Sequence, residues 1–326
     1  MAHDVVCLRP QADFLKSGVV PPASLSVVYL EPDDAGLAAA IKEARALVIP
    51  AVGPKLAPEL FEGGDVRLVQ VTGAGVDRLD EPAMRRLGIP VANVPGGSNS
   101  ALAEYAVTCA IVLLRRIAWA DAEIRSGNYS EFRARMVAEN LPGLAGLTVG
   151  LLGLGNIGMA VAEAFHRMGS ELVYHDPVLA DHGPAERIGA RPLTLKELLE
   201  TADVVTLHIP LLPATRGLIS GDRLGLMKRG AILINAARGG IVEEAALAAH
   251  LASGHLGGAA VDVYSTEPPP ASNPLFALEG EAARRVLFTP HIAGVTRQSF
   301  AYLFRTAWDN VLRVLESGEA PTNRVY

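Results

Sequence analysis

The sequence predicts an α/β protein built on two doubly wound parallel sheets. Three observations carry that expectation. The chain has 326 residues, enough for two domains. Short apolar, β-rich runs alternate with helical patterns in both halves. One glycine-rich turn lies between such a run and an amphipathic helix.

In the N-terminal portion the β-rich runs are Val5–Leu8, Ser26–Leu30, Ala46–Ile49, Val66–Val71 and Pro90–Val94. Helical patterns at Ala35–Glu43, Leu56–Phe61 and Glu81–Leu87 fill the gaps, each punctuated by Gly or Pro. A long helical stretch, Ser100 to Ser126, comes next, followed by a polar segment, Gly127 to Asn140. Arg115, Arg116, Arg125, Arg133 and Arg135 fall in or near this arm. They read either as a solvated face or as a subunit contact.

A second alternation starts at Leu147. Its strands are expected at Thr148–Leu152, Leu172–His175, Val204–Ile209, Ala231–Ala236, Ala259–Val263 and Val286–Thr289. Helices are expected at Ile157–Met168, Leu195–Glu200, Gly221–Met227 and Glu243–Ala252, with a last helix from Gln298 to Ser317. Six strands with helices between them describe a doubly wound domain.

Composition removes several classes. The net charge is -6, and aromatic residues make up only 5%, so neither a phosphate-tracking nor a base-stacking surface for nucleic acid is expected. Cys7 and Cys109 form neither a disulfide framework nor a CxxC metal pair, and no metal site is expected. Met1 to Pro10 lacks the basic start and apolar core of a signal peptide. The most apolar stretch, Ala106 to Leu114, is too short to span a bilayer. The expected compartment is the cytoplasm, with no membrane association.

The glycine turn is Gly153-Leu154-Gly155-Asn156-Ile157-Gly158. A β-run precedes it, and the helix after it carries Val161, Ala164, Phe165 and Met168 on one face. In such a turn Gly153 allows the tight bend, Gly155 lets backbone approach a pyrophosphate, and Gly158 lets helix and strand pack closely. Asp176 lies 18 residues beyond Gly158, at the end of the second strand. A carboxylate there accepts ribose hydroxyls and repels a 2'-phosphate, which favours NAD over NADP.

Three later strand ends carry ionisable groups: Arg238, Glu267 and His291. Ligands of open α/β sheets bind outside the carboxyl ends of the strands. Reduction of a 2-oxo acid needs a cation for the carboxylate, a proton donor for the carbonyl oxygen, and a group that keeps the donor charged. Arg238 offers a planar fork, His291 titrates near neutrality, and Glu267 would stabilise its imidazolium and raise its pKa.

With those residues in place, the chain resembles the D-isomer-specific 2-hydroxyacid dehydrogenase family along nearly its whole length. The matching stretches are Gly73 to Asp77, Asn93 to Pro95 with Ala103-Glu104, Gly153 to Gly158, Asn235 to Gly240, Asp262 to Pro268, and Pro290 to Gly294. The resemblance implies two Rossmann-like/flavodoxin-like domains with an active-site cleft between them. The substrate domain would be discontinuous, 1–100 plus 296–326. The NAD-binding domain would be 101–295, including a dimerisation arm at about 120–145. His291 would be the acid/base, Glu267 its partner and Arg238 the substrate anchor. Gly75 and Val76 would give backbone N–H groups to the substrate carboxylate. The cofactor site would include Gly153, Gly155, Asn156, Ile157, Gly158 and Asp176, the loop His208-Ile209-Pro210, and Ala236, Asp262 and Gly294. The family also implies a homodimer.

Some positions depart from subgroup patterns. Phosphoglycerate dehydrogenases tend to carry an Arg after the third strand, where this chain has Pro50-Ala51-Val52; a phosphate needs a nearby cation. Asn156 stands where Arg is common. The chain ends at Tyr326, with no room for an appended regulatory domain. The expected activity is NAD-dependent oxidoreduction of a small, unphosphorylated 2-hydroxy or 2-oxo acid of the glyoxylate or hydroxypyruvate kind. A short-form D-3-phosphoglycerate dehydrogenase is the enzymatic alternative. An NAD-responsive, corepressor-like binding protein is the non-enzymatic one.

Overall fold

The computed structural model describes residues 3–326; the first two residues of the N-terminal stretch read above, Met1 and Ala2, lie outside them. The chain divides into two units, Met1–Ser98 with Val295–Tyr326, and Asn99–Gly294.

The first unit holds a five-stranded parallel sheet. Its strands are β1 (Val5–Cys7), β2 (Val27–Tyr29), β3 (Ala46–Ile49), β4 (Leu68–Val71) and β5 (Val91–Ala92), in the order β2-β1-β3-β4-β5. β1, β3 and β4 are buried at every position, which is why they read as continuous apolar runs. The helix Glu81–Leu87 is punctuated as its sequence demands. Asp80 accepts the N–H of Ala83 at 2.8 Å, and Gly88 closes the helix with φ 69°. The C-terminal helix Arg297–Leu315 starts at a Thr296 cap and lays Phe304, Ala307, Trp308 and Val311 against Val5, Val48 and Leu68. Beyond it the tail returns to β5, where Val91 N–H donates to Tyr326 O and Val325 N–H to Val91 O. That packing is why the first unit takes up the end of the chain.

The second unit is a seven-stranded parallel sheet. Its strands are β6 (Thr148–Leu152), β7 (Glu171–His175), β8 (Arg191–Pro192), β9 (Val204–Leu207), β10 (Ile232–Asn235), β11 (Gly258–Val261) and β12 (Val286–Phe288). Their order is β12-β11-β10-β9-β6-β7-β8. The order reverses between β6 and β9, and crossovers cover both faces.

The sequence expectations differ in six places. A seventh strand, β8, joins the six expected; it has two exposed residues and no apolar signal. The helix expected over Ser100–Ser126 is two helices, Asn99–Leu114 and Ile117–Arg125, because Arg116 takes φ 52°. The polar segment contains a helix, Tyr129–Glu139, whose only buried residue is Phe132, so it shows no apolar stripe. Short helices at Gln11–Lys16, Gly183–Arg187 and Gly280–Arg284 were not visible either. Within the arm, Arg116 and Arg135 flank the Trp119 ring, and both pair with Glu139. No helix among the described residues is long and apolar enough to cross a membrane.

Candidate active site

The glycine turn joins β6 to the helix Asn156–Arg167 at the point where the strand order reverses. Gly153 has φ 92°, and a Cβ there would meet His208 O at 2.6 Å and Ile209 Cγ2 at 2.7 Å. A Cβ on Gly158 would stand 2.2 Å from Gly153 O, whereas one on Gly155 would project into open space. Two glycines are therefore demanded by packing, and the third leaves a cradle open. Gly155 caps the helix with no side-chain hydrogen bond. The N–H groups of Asn156, Ile157 and Gly158 in the first turn thus have no acceptor earlier in the helix, which is the arrangement that receives a phosphate.

Asp176 follows β7 and pins the turn. Its Oδ2 accepts Leu154 N–H at 2.8 Å and its Oδ1 accepts Val178 N–H at 3.1 Å. His208-Ile209-Pro210 follows β9 and packs against the turn, with Pro210 O held by the Thr215 hydroxyl at 2.7 Å. Although part of His208 reaches the surface, its Nδ1 is buried without a partner, and its Nε2 pairs with Thr206 Oγ1 at 2.9 Å. Burial pushes the imidazole down to about 3, so it is neutral at physiological pH. An open cradle, unpaired helix N–H groups and an orphaned polar atom together fit a dinucleotide.

His291 and Glu267 meet directly. Nδ1 of His291 lies 2.9 Å from Glu267 Oε2, with 26% and 28% of the two side chains exposed. Burial alone would raise the Glu267 carboxyl. The His291 hydrogen bond, the Tyr264 N–H on Oε1 at 3.0 Å, and the charges of His291 and Arg238 outweigh it and hold the carboxyl below its usual range. An ionised carboxylate only accepts, so Nδ1 carries the proton and Nε2 is left to face a ligand. Arg238 follows β10 and donates from Nη1 to Ala237 O at 2.7 Å.

Elements remote in sequence hold these groups. His291 has φ 55°, a left-handed conformation that costs a non-glycine residue about 1–2 kcal/mol. Asp262, fully buried, imposes it. Its main-chain oxygen accepts His291 N–H at 2.8 Å, Oδ1 accepts Ile292 N–H at 2.8 Å, and Oδ2 accepts Ala293 N–H at 2.9 Å. The Thr289 hydroxyl also donates to Oδ1, at 2.5 Å, and Tyr105 OH stands 2.7 Å from that hydroxyl. On the other side, Glu244 accepts Ser265 N–H at 2.6 Å and the Asn273 amide at 2.7 Å, fixing the loop that bears Glu267. Gly239 touches that loop so closely that a Cβ would fall 1.7 Å from Tyr264 O.

Arg238, Glu267, His291, Asp262, Ala236 and Gly294 thus share the carboxyl edge of the second sheet, and Ala236 packs with Leu102 and Ala293. Gly75 and Val76 belong to the other unit, in the turn after β4. Tyr105, Thr289, Glu244 and Tyr264 were not singled out from the sequence. Nothing in their local pattern names partners as distant as the 184 residues between Tyr105 and Thr289.

Residues 107–293 match the family model described as D-isomer specific 2-hydroxyacid dehydrogenase, NAD binding domain. The (S)-sulfolactate dehydrogenase of Chromohalobacter salexigens is 40% identical over 252 residues, which cover 77% of this chain and 78% of that protein. The chain belongs to the D-isomer specific 2-hydroxyacid dehydrogenase family. It is an oxidoreductase of that family, its cofactor is NAD, and family members act on the CH–OH group of 2-hydroxyacids. The D-3-phosphoglycerate dehydrogenase of Archaeoglobus fulgidus is 37% identical over 235 residues, 72% of this chain and 42% of that protein. The matched stretch spans about half the length of the D-3-phosphoglycerate dehydrogenases, from 41% to 52%. Among solved structures, the TT0316 protein of Thermus thermophilus has a TM-score of 0.81 at 33% identity, over 99% of each chain.

Proposed function

We propose that this family member interconverts a small, unphosphorylated 2-oxo acid and its 2-hydroxy acid, of the glyoxylate or hydroxypyruvate kind. The observation that carries the reading is the His291–Glu267 pair at 2.9 Å, which leaves Nε2 of His291 free at a carboxyl edge of the sheet. NAD supplies the hydride exchange when bound. Gly153, Gly155, Asn156, Ile157 and Gly158 would hold its pyrophosphate, Asp176 its ribose, and His208 to Pro210, Ala236, Asp262 and Gly294 would complete that site. His291 Nε2 protonates the carbonyl oxygen in reduction and takes the proton back in oxidation. Glu267 orients the ring and stabilises its charged form. Arg238 anchors the substrate carboxylate, with the backbone N–H groups of Gly75 and Val76 as further donors.

The preference for an unphosphorylated acid rests on Pro50-Ala51-Val52, which has no arginine after β3. Several relatives named D-3-phosphoglycerate dehydrogenase support the alternative reading. NADH oxidation with glyoxylate, hydroxypyruvate, pyruvate, 3-sulfopyruvate and phosphohydroxypyruvate separates them. Preference for the phosphate ester would replace the first reading, and inactivity on all five would favour an NAD-responsive binding role. His291→Ala should abolish most turnover while sparing NADH binding; survival of turnover within a few-fold would remove His291 from the acid/base role. A homodimer through the arm is part of the same reading, supported by exposed Ile117, Ile124, Tyr129 and Val137. Sedimentation of wild type and Val137→Glu tests it.

A further inference from the structure

Glu267 sits on an exposed loop, residues 265–268, yet its carboxylate meets His291 Nδ1 at 2.9 Å. The two residues follow different strands, Glu267 after β11 and His291 after β12. Backbone hydrogen bonds join those segments as far as Thr289 N–H on Val261 O, at 3.1 Å, and His291 N–H on Asp262 O, at 2.8 Å. From Val263 to Pro268, among the described residues, no backbone group bonds to the backbone of the segment 286–294. Something other than the ladder has to deliver the carboxylate.

Tyr264 bridges the gap. Its N–H donates to Glu267 Oε1 at 3.0 Å, and its hydroxyl lies 3.1 Å from Thr289 O and 3.2 Å from Val261 O. Burial and the charges of Asp262, Glu267 and Glu244 push the phenol above its ordinary value, so the hydroxyl keeps its proton and donates. Among the described residues no other group donates to Thr289 O, and Thr289 stands two residues before His291. One side chain thus reaches the main chain that leads into the imidazole, while its own N–H holds the carboxylate. Packing does not explain the hydroxyl. The ring lies in the core with Leu275 and Val261, and 6.3 Å from the Phe276 ring, a place that phenylalanine would fill equally well. A buried hydroxyl contributes through the bonds it makes.

We propose that Tyr264 is a positioning residue for the acid–base pair: it ties the Glu267 loop to the strand end that carries His291 and so fixes the distance between carboxylate and imidazole. This rests on the acid–base reading of His291 and deepens it. Without the hydroxyl, the only hydrogen bond among the described residues between the Glu267 loop and the segment after β12 is the His291–Glu267 contact itself. That contact would then have to hold the loop as well as stabilise the charged ring.

The test is Tyr264→Phe, placed in wild type and in Glu267→Ala, with the pH profile of NADH-dependent reduction as the readout. In the wild-type background kcat should fall by about 3- to 10-fold, one neutral hydrogen bond expressed as rate. The alkaline limb should move to lower pH, because a carboxylate held less closely stabilises the imidazolium less. NADH affinity by fluorescence titration should stay within about twofold. In Glu267→Ala there is no carboxylate left to place, so the same substitution should change the residual kcat by less than about twofold. Equal losses in the two backgrounds, or an unshifted profile, would reduce Tyr264 to a packing residue and overturn the proposal. The proton NMR resonance of His291 Nδ1–H, which a carboxylate partner moves far downfield, needs no turnover and should move upfield in Tyr264→Phe. An unchanged resonance overturns the role of Tyr264, whereas a wild type inactive on every 2-oxo acid overturns only the activity reading.

Discussion

Thr289→Val tests whether the geometry of His291 is imposed from Asp262. The substitution keeps the side chain's shape and removes one hydroxyl. That hydroxyl donates to Asp262 Oδ1 at 2.5 Å and stands 2.7 Å from Tyr105 OH. Losing a hydrogen bond to a carboxylate costs about 1.5–3 kcal/mol, and stranding the half-buried Tyr105 hydroxyl adds about 1 kcal/mol. The Cys109 thiol, close to Tyr105, is a weak substitute partner. A total of about 2.5–4 kcal/mol corresponds to a fall in Tm of roughly 5–16 °C for a unit of this size. Calorimetric melting of the variant and of Tyr105→Phe/Thr289→Val measures it. The double variant strands no hydroxyl, so it should be less destabilised than the sum of the singles by about 1 kcal/mol. Turnover should fall with Thr289→Val, because the left-handed His291 loses part of its support. A Tm within 1 °C of wild type, or strict additivity in the double variant, would refute the reasoning.

Glu267→Gln should cut kcat/KM strongly, since Gln cannot stabilise a charged His291. The sign with pH follows from the depressed Glu267 carboxyl. Its ionised contribution is complete above the ordinary value of 4.5 and is lost only as pH falls through the lower folded value. The wild-type acid limb attributable to Glu267 therefore belongs below pH 4.5 and should vanish in the variant's profile. Gly239→Ala would drive a Cβ into Tyr264 O, displacing the N–H that holds Glu267. Turnover should drop with NADH affinity retained, as read by fluorescence titration. Asp176→Ala should narrow the preference for NADH over NADPH by about tenfold or more by removing the charge that repels a 2'-phosphate, as compared in KM for the two cofactors. His208, neutral at physiological pH because its pKa lies near 3, should contribute no slope to NADH affinity between pH 5 and 9, and His208→Asn should leave that profile flat.

The central strands were legible because burial on both faces makes them continuous apolar runs: Ala46–Ile49 and Val204–Leu207 are buried at all four positions. The glycine turn was legible because two of its glycines answer steric demands that no other residue meets. The helix Tyr129–Glu139 was not, since a helix that buries only Phe132 has no period to show. Nor was the break at Arg116, where a guanidinium stacked on Trp119 and paired with Glu139 favours a conformation that Arg rarely adopts. Arg238, Glu267 and His291 could be singled out because each follows an apolar strand. Their supports could not, because Tyr105, Thr289 and Glu244 act through contacts that depend on which strands lie side by side.

Two carboxylates near His291 divide the work by environment. Asp262 is fully buried and accepts two N–H groups and a hydroxyl through its side chain, so it fixes where the His291 loop runs. Glu267 is partly exposed, accepts one N–H, and turns its other oxygen to the imidazole, so it governs how the ring is oriented and charged. The pairing requires both. A ring fixed only by Glu267 would swing with an exposed loop, and one fixed only by Asp262 would have no counter-charge. Removing the Asp262 carboxylate should therefore be read first in stability, because it strands buried donors. Removing that of Glu267 should be read first in turnover, because the donors it leaves behind can reach water.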